Sequence, residues 1–135
     1  MSVHVLWLTM DAGAMIHELV APTLADWQAL VGGELEQLTA VGVAAAATDG
    51  GGNGMGCYVN GNAIYLGYEA NAVARAVLPE LGFPQWSHLL GPVVLLRFAT
   101  DATTGEMTEA SLTDDDVARI RRVLARLHNV KHADT

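Results

Sequence analysis

Pro92-Val93-Val94-Leu95-Leu96-Arg97-Phe98-Ala99 is a short, strongly apolar run rich in β-branched and bulky residues. A strand of this kind belongs at the centre of a sheet, where both of its faces are covered. Asp101 to Gly105 then supplies a turn, and a weak strand is expected around Met107. Toward the N-terminus, Val3 to Met10 and Met15 to Val20 are apolar runs separated by Asp11-Ala12-Gly13, the pattern of a β-hairpin. A second hairpin is expected where Met55 to Val59 and Asn62 to Tyr68 flank Asn60-Gly61, the dipeptide preferred in tight two-residue turns. Glu34 to Thr39 reads as a further strand, and Val41 to Thr48 as an alanine-rich apolar segment suited to close packing.

Three helices fit between these runs. Thr23 is placed to cap the first, with Asp26 three residues on in a capping-box position. Leu24, Trp27, Leu30 and Val31 form its apolar stripe, and Gly32-Gly33 ends it. From Glu69 a second helix carries Val73, Val77, Leu78 and Leu81 on one side and stops at Gly82 and Pro84; Phe83 to Leu90, containing Trp86, connects it onward. Thr113 caps the last helix, whose apolar face is Val117, Ile120, Leu124 and Leu127. Asp114, Asp115 and Asp116 in its first turn and arginines toward its end both complement the helix dipole, at ~0.3–1 kcal/mol for each well-placed group. The order β-β-α-β-β-β-α-β-β-α defines one compact α+β domain over residues 1–135. It has a mostly antiparallel sheet, an N-terminal hairpin, a central hairpin and about three helices. A glycine-rich loop at 49–56 is expected to be flexible, and the tail at 129–135 to fray.

Of the 135 residues, 51% are hydrophobic and 16% charged, enough for a core and inconsistent with global disorder. The single cysteine, Cys57, excludes an intramolecular disulfide and a cysteine-based zinc site. It is expected to be a buried, inert thiol in a reducing compartment, with the cytoplasm as the expected location. No basic segment precedes the first apolar run, and no apolar stretch approaches the ~20 residues of a membrane helix. Neither a signal peptide nor a membrane partner is therefore expected.

The cations are concentrated at one end. Arg119, Arg121, Arg122, Arg126 and Lys131 lie in residues 119–135 beside a single acid, Asp134, giving that segment +4. The rest, with Arg75 and Arg97 against fourteen carboxylates, carries −12. Arg119, Arg122 and Arg126 are spaced by three and four and so share one side of the last helix, with Arg121 at its flank. They suit docking to phosphate or to an acidic protein surface; equally, they suit a solvated face that complements the dipole and pairs with the acidic body.

Other constellations are weaker. The run Asp49-Gly50-Gly51-Gly52-Asn53-Gly54 lacks the Gly-Lys-Ser/Thr ending of a phosphate loop and leads into a strand rather than a helix. His128 and His132 are four apart, but no third ligand accompanies them, so no metal is expected. His4, His17 and His88 belong to no constellation, and no Gly-x-Ser-x-Gly elbow is present. No catalytic residue and no cofactor are assigned.

Leu30-Val31-Gly32-Gly33-Glu34-Leu35-Glu36, Tyr58-Val59-Asn60, Gly67, Asn71, Ala74, Gly91-Pro92-Val93-Val94 and Ser111-Leu112-Thr113 extend over most of the chain. Together they resemble a family of small uncharacterised bacteriophage and actinobacterial proteins, a domain of unknown function with a Leu-Val-Gly-Gly-x-x-Glu motif. The resemblance implies a fold and a phage or mobile-element setting, and carries over no catalytic residue. Glu69 and Asn71 are the polar residues of that pattern nearest the start of the second helix, where unpaired N–H groups could hold a small anion; capping and turn geometry account for the two residues equally well. The leading expectation is a small non-catalytic binding protein that contacts a protein partner through Arg119, Arg121, Arg122 and Arg126. A nucleic-acid binder using the same helix, a small-ligand-sequestering protein with a site at Glu69 and Asn71, and a homodimer stay open as alternatives.

Overall fold

The computed structural model describes residues 2–10, 13–39, 54–85, 89–100 and 103–133, with backbone alone at 39, 100 and 129–133. The elements are β1 (Ser2–Thr9), β2 (Gly13–Val20), α1 (Leu24–Val31), β3 (Leu35–Thr39), β4 (Gly54–Asn60), α2 (Ala72–Glu80), β5 (Val93–Thr100), β6 (Met107–Ala110) and α3 (Asp114–Ala133). The six strands form one antiparallel sheet in the order β2-β1-β5-β4-β3, with β6 also paired to β5. The α+β class and the N-terminal hairpin agree with the sequence reading.

β5 is central because its side chains leave it nowhere else to go. Val93 and Leu95 face one layer, Val94, Leu96 and Phe98 the other, and all five are buried. On the first face Leu6, Leu8, Cys57 and Val59 meet Val77 and Leu78 of α2 and Ile120 and Val123 of α3. On the second, Val3, Val5 and Tyr58 meet Trp27, Leu30 and Val31 of α1. Trp27, Tyr58 and Phe98 stack edge to face at centroid distances of 5.5 Å, a geometry that adds to their burial. The sheet thus lies between α1 on one side and α2 with α3 on the other.

One edge of β5 is shared. β1 pairs with it only at Leu6 to Leu8, and further along its length the same strand pairs with β6. At His4, β1 turns to the segment after β6: the His4 amide donates to Ser111 Oγ at 2.8 Å, and the Leu112 amide donates to the His4 carbonyl at 2.9 Å. This seam fixes where α3 starts, one residue beyond Thr113.

The central hairpin is differently built from the sequence expectation. β4 ends at Asn60, and residues 61–67 form a coiled turn instead of a returning strand. The antiparallel partners of β4 are β3 and β5, so one strand of the anticipated order is absent. The cause is the Asn60 side chain, which is buried: its Nδ2 donates to the Val31 carbonyl at 3.1 Å, and its Oδ1 accepts from the Asn62 amide at 2.7 Å. An asparagine committed in this way bends the chain locally into an Asx turn, which competes with hairpin formation.

Two further boundaries move. Gly54 to Gly56, expected in the glycine-rich loop, belong to β4, while 49–53 of that loop and 41–48 lie outside the described residues. α3 continues to Ala133, into the segment expected to fray, and 134–135 lie outside the described residues. So do Trp86 and His88 of the connector between α2 and β5.

Candidate interaction surface on the C-terminal helix

α3 begins with a reciprocal cap. The Thr113 amide donates to Asp116 Oδ2 at 2.9 Å and the Asp116 amide donates to Thr113 Oγ1 at 3.1 Å, satisfying two of the helix's otherwise unpaired donors. Val117, Ile120, Val123, Leu124 and Leu127 then recur at helical spacing and pack on the sheet and α2. Once that stripe is buried, the residues between must face outward. Arg121, Arg122 and Arg126 are exposed and Arg119 is half-buried, as their spacing requires.

Arg119, Arg122 and Arg126 are brought together along an open groove of about 430 Å³, with Val123 at its base and Glu80 across it. Glu80 is the last residue of α2 and forms a salt bridge with Arg126, the two side chains remaining 42% and 58% exposed. A pair that open to water is worth ~0–1 kcal/mol and is readily exchanged for another carboxylate. Among the described residues, Arg119, Arg121 and Arg122 have no carboxylate partner. The arrangement therefore presents solvent-accessible guanidinium groups, each able to grip an oxyanion by two parallel hydrogen bonds, beside Val123. Glu80 and Val123 were not legible as members of this surface, because they lie on a different helix and on the buried stripe. The side chain of Lys131 lies outside the described residues.

At the second candidate position, Asn71 takes the capping role that its place before α2 also allowed. Asn71 is fully buried and caps α2: Oδ1 accepts from the Ala74 amide at 3.0 Å, and Nδ2 donates to the carbonyls of Leu8 at 3.0 Å and Gly91 at 2.8 Å. Both amide protons and the oxygen are thus engaged in tying α2 to β1 and to the start of β5. Glu69 lies outside the helix with its side chain exposed, and its backbone carbonyl accepts from the Gly91 amide at 2.9 Å. Asn71 is a structural residue, and nothing directs it and Glu69 toward a common ligand.

Several of the other residues singled out in the sequence also meet around packing rather than chemistry. Tyr68 is wedged between Gly32 and Gly91, both at positive φ, where a Cβ would run into its hydroxyl and its ring respectively. Cys57 has no exposed surface, and burial pushes its thiol well above the ordinary range, away from the reactive thiolate. Among the described residues, no group of three or more His, Cys, Asp or Glu side chains is placed to hold a metal ion, and no helix is long and apolar enough to cross a membrane. No family model, curated protein or solved structure matches the chain.

Proposed function

We propose that this protein is a small, non-catalytic binding module that docks on an acidic protein surface through the outer face of α3. The observation that carries this reading is the state of the α3 arginines. Arg126 is held by Glu80, whereas Arg119, Arg121 and Arg122 stand without a carboxylate partner among the described residues, on a molecule of net charge −8. A helix needing arginines only to complement its dipole would be served by its last turn; Arg119 and Arg122 sit nearer its start.

An acidic protein suits this surface better than a nucleic acid does. The remainder of the chain carries −12, which repels a long phosphate backbone at any contact wider than the helix itself. An accessory role in the cytoplasm of a phage or actinobacterial host is part of this proposal. Affinity capture from host lysate with the wild type and with an Arg119→Ala/Arg122→Ala/Arg126→Ala variant tests the reading. Partners retained by the wild type and lost by the variant support it. An identical set on both removes α3 from the interaction.

A further inference from the structure

The segment that failed to become a strand has an unusual surface. Ile64, Tyr65 and Leu66 are 74%, 89% and 54% exposed, three consecutive large apolar side chains turned to solvent. Hydrogen bonds pin the backbone that carries them. Ala63 is buried beneath them, the Leu66 amide donates to the Asn62 carbonyl at 2.9 Å, and the Tyr68 amide donates to the Ala63 carbonyl at 3.0 Å. Asn60 Oδ1 and the wedged Tyr68 ring brace the two ends of the turn. An apolar knob displayed on a rigid turn has little ordering entropy left to lose on binding, and contiguous exposed apolar surface marks interaction sites.

The rim of the knob is acidic. Asn62 Nδ2 donates to Glu34 Oε2 at 3.0 Å, the Glu36 side chain borders Gly61, and the exposed Glu69 follows Leu66 by three residues. A matching partner needs a depression walled by cations, and the α3 groove is one: Arg119, Arg122 and Arg126 line it with Val123, and Glu80, its one acid, is held by Arg126. Its open volume of about 430 Å³ leaves room for a phenol ring. A guanidinium also stacks well on a tyrosine ring.

From this complementarity we infer that the knob docks in the α3 groove of a second copy of the chain. The inference rests on the reading of α3 as a docking surface and names the protein's own acidic-rimmed turn as one occupant. Since knob and groove are different surfaces, the contact is head-to-tail, and successive contacts build a ring where the rotation closes and an open filament where it does not. Tyr65 is the anchor, with Ile64 and Leu66 excluding water around it. Glu34, Glu36 and Glu69 pair with Arg119 and Arg122, so association weakens with salt.

Sedimentation of the wild type at low ionic strength should show concentration-dependent association. Tyr65→Ser removes the knob and Arg122→Glu reverses the groove; each alone should associate roughly thirtyfold more weakly or worse. Mixed together, they still hold one intact knob and one intact groove between them. The mixture should therefore form a one-to-one heterodimer and nothing larger. A wild type that stays monomeric at millimolar concentration, or a mixture that forms no heterodimer, overturns the inference. A poly-glutamate peptide separates this from the parent reading: a monomeric wild type that binds the peptide refutes self-association alone, and one that binds neither peptide nor itself refutes both.

Discussion

Arg97 on β5 and Asp116 in the first turn of α3 are locked in a two-point ion pair, Nε to Oδ2 at 2.5 Å and Nη2 to Oδ1 at 2.8 Å. Both lie on the side of the sheet that α2 and α3 cover, with side chains 12% and 7% exposed. Asp116 also completes the Thr113 cap, so a single carboxylate starts the helix and anchors it to the central strand. The register of the α3 arginines relative to α2 depends on that anchor.

Removing one partner should be costly and removing both should not. Asp116→Ala leaves the Arg97 charge desolvated and is expected to cost ~3–5 kcal/mol. The double change Arg97→Met/Asp116→Leu should recover most of that loss, minus ~1 kcal/mol for the cap. Urea unfolding of the wild type, Arg97→Met, Asp116→Leu and the double variant, analysed as a cycle, measures the coupling.

Acid should release the same anchor. Burial alone would raise the Asp116 carboxyl, but hydrogen bonds and charge from Arg97, with the Thr113 bonds, outweigh it and hold the group below its ordinary value. A carboxyl depressed on folding adds stability above its unfolded value of ~3.9, and that contribution is lost as pH falls through the folded value. Unfolding free energy should fall on acidification below about pH 4, and Asp116→Asn should flatten that fall while lowering stability at neutral pH.

The contact between Tyr68 and Gly91 should tolerate no side chain at position 91. A Cβ there would strike the Tyr68 ring, and the backbone sits at φ 72°, which costs an L-residue ~1–2 kcal/mol by itself. Gly91→Ala is expected to lower stability by ~2–4 kcal/mol, and Tyr68→Leu in the same chain should return only the steric part. Thermal unfolding of the wild type and these two variants checks this.

Much of the fold was legible because its signals are local. The apolar run at 93–98 could be covered only from both sides, Thr23 and Asp26 form the capping pair their spacing suggests, and Gly32 ends α1 with φ 84°. Three departures fall at residues whose partners are distant in sequence. Asn60 followed by Gly61 has hairpin chemistry, yet Asn60 is claimed by the Val31 carbonyl, 29 residues away. Asn71 suits a cap or a ligand by its position alone, and the carbonyls of Leu8 and Gly91, 63 and 20 residues away, take up its amide group. Asp116 was read as one of three acids serving the helix dipole, and nothing local marked it as the one that Arg97 would take. The arginine face itself was legible from spacing, but the groove needed Glu80, whose place opposite Arg126 is set by the packing of α2 on α3.

Glu80 should act as an internal competitor for the docking surface. Its bond to Arg126 is solvent-exposed, so Glu80→Gln should change stability by no more than ~1 kcal/mol. Affinity for an acidic peptide should rise by roughly threefold to tenfold, because a third guanidinium becomes available and a repelling carboxylate is gone. Isothermal titration of both proteins with the same peptide, at two ionic strengths, reads this out.

The most direct measurement of the central claim is a heteronuclear NMR titration of the wild type with a labelled-protein, unlabelled poly-glutamate arrangement at low salt. Docking through α3 predicts progressive shifts concentrated at Arg119, Arg121, Arg122, Val123 and Arg126, reversed by added salt and absent from Arg119→Ala/Arg122→Ala. Saturable binding with shifts confined to other elements, or unchanged affinity in that double variant, would contradict it.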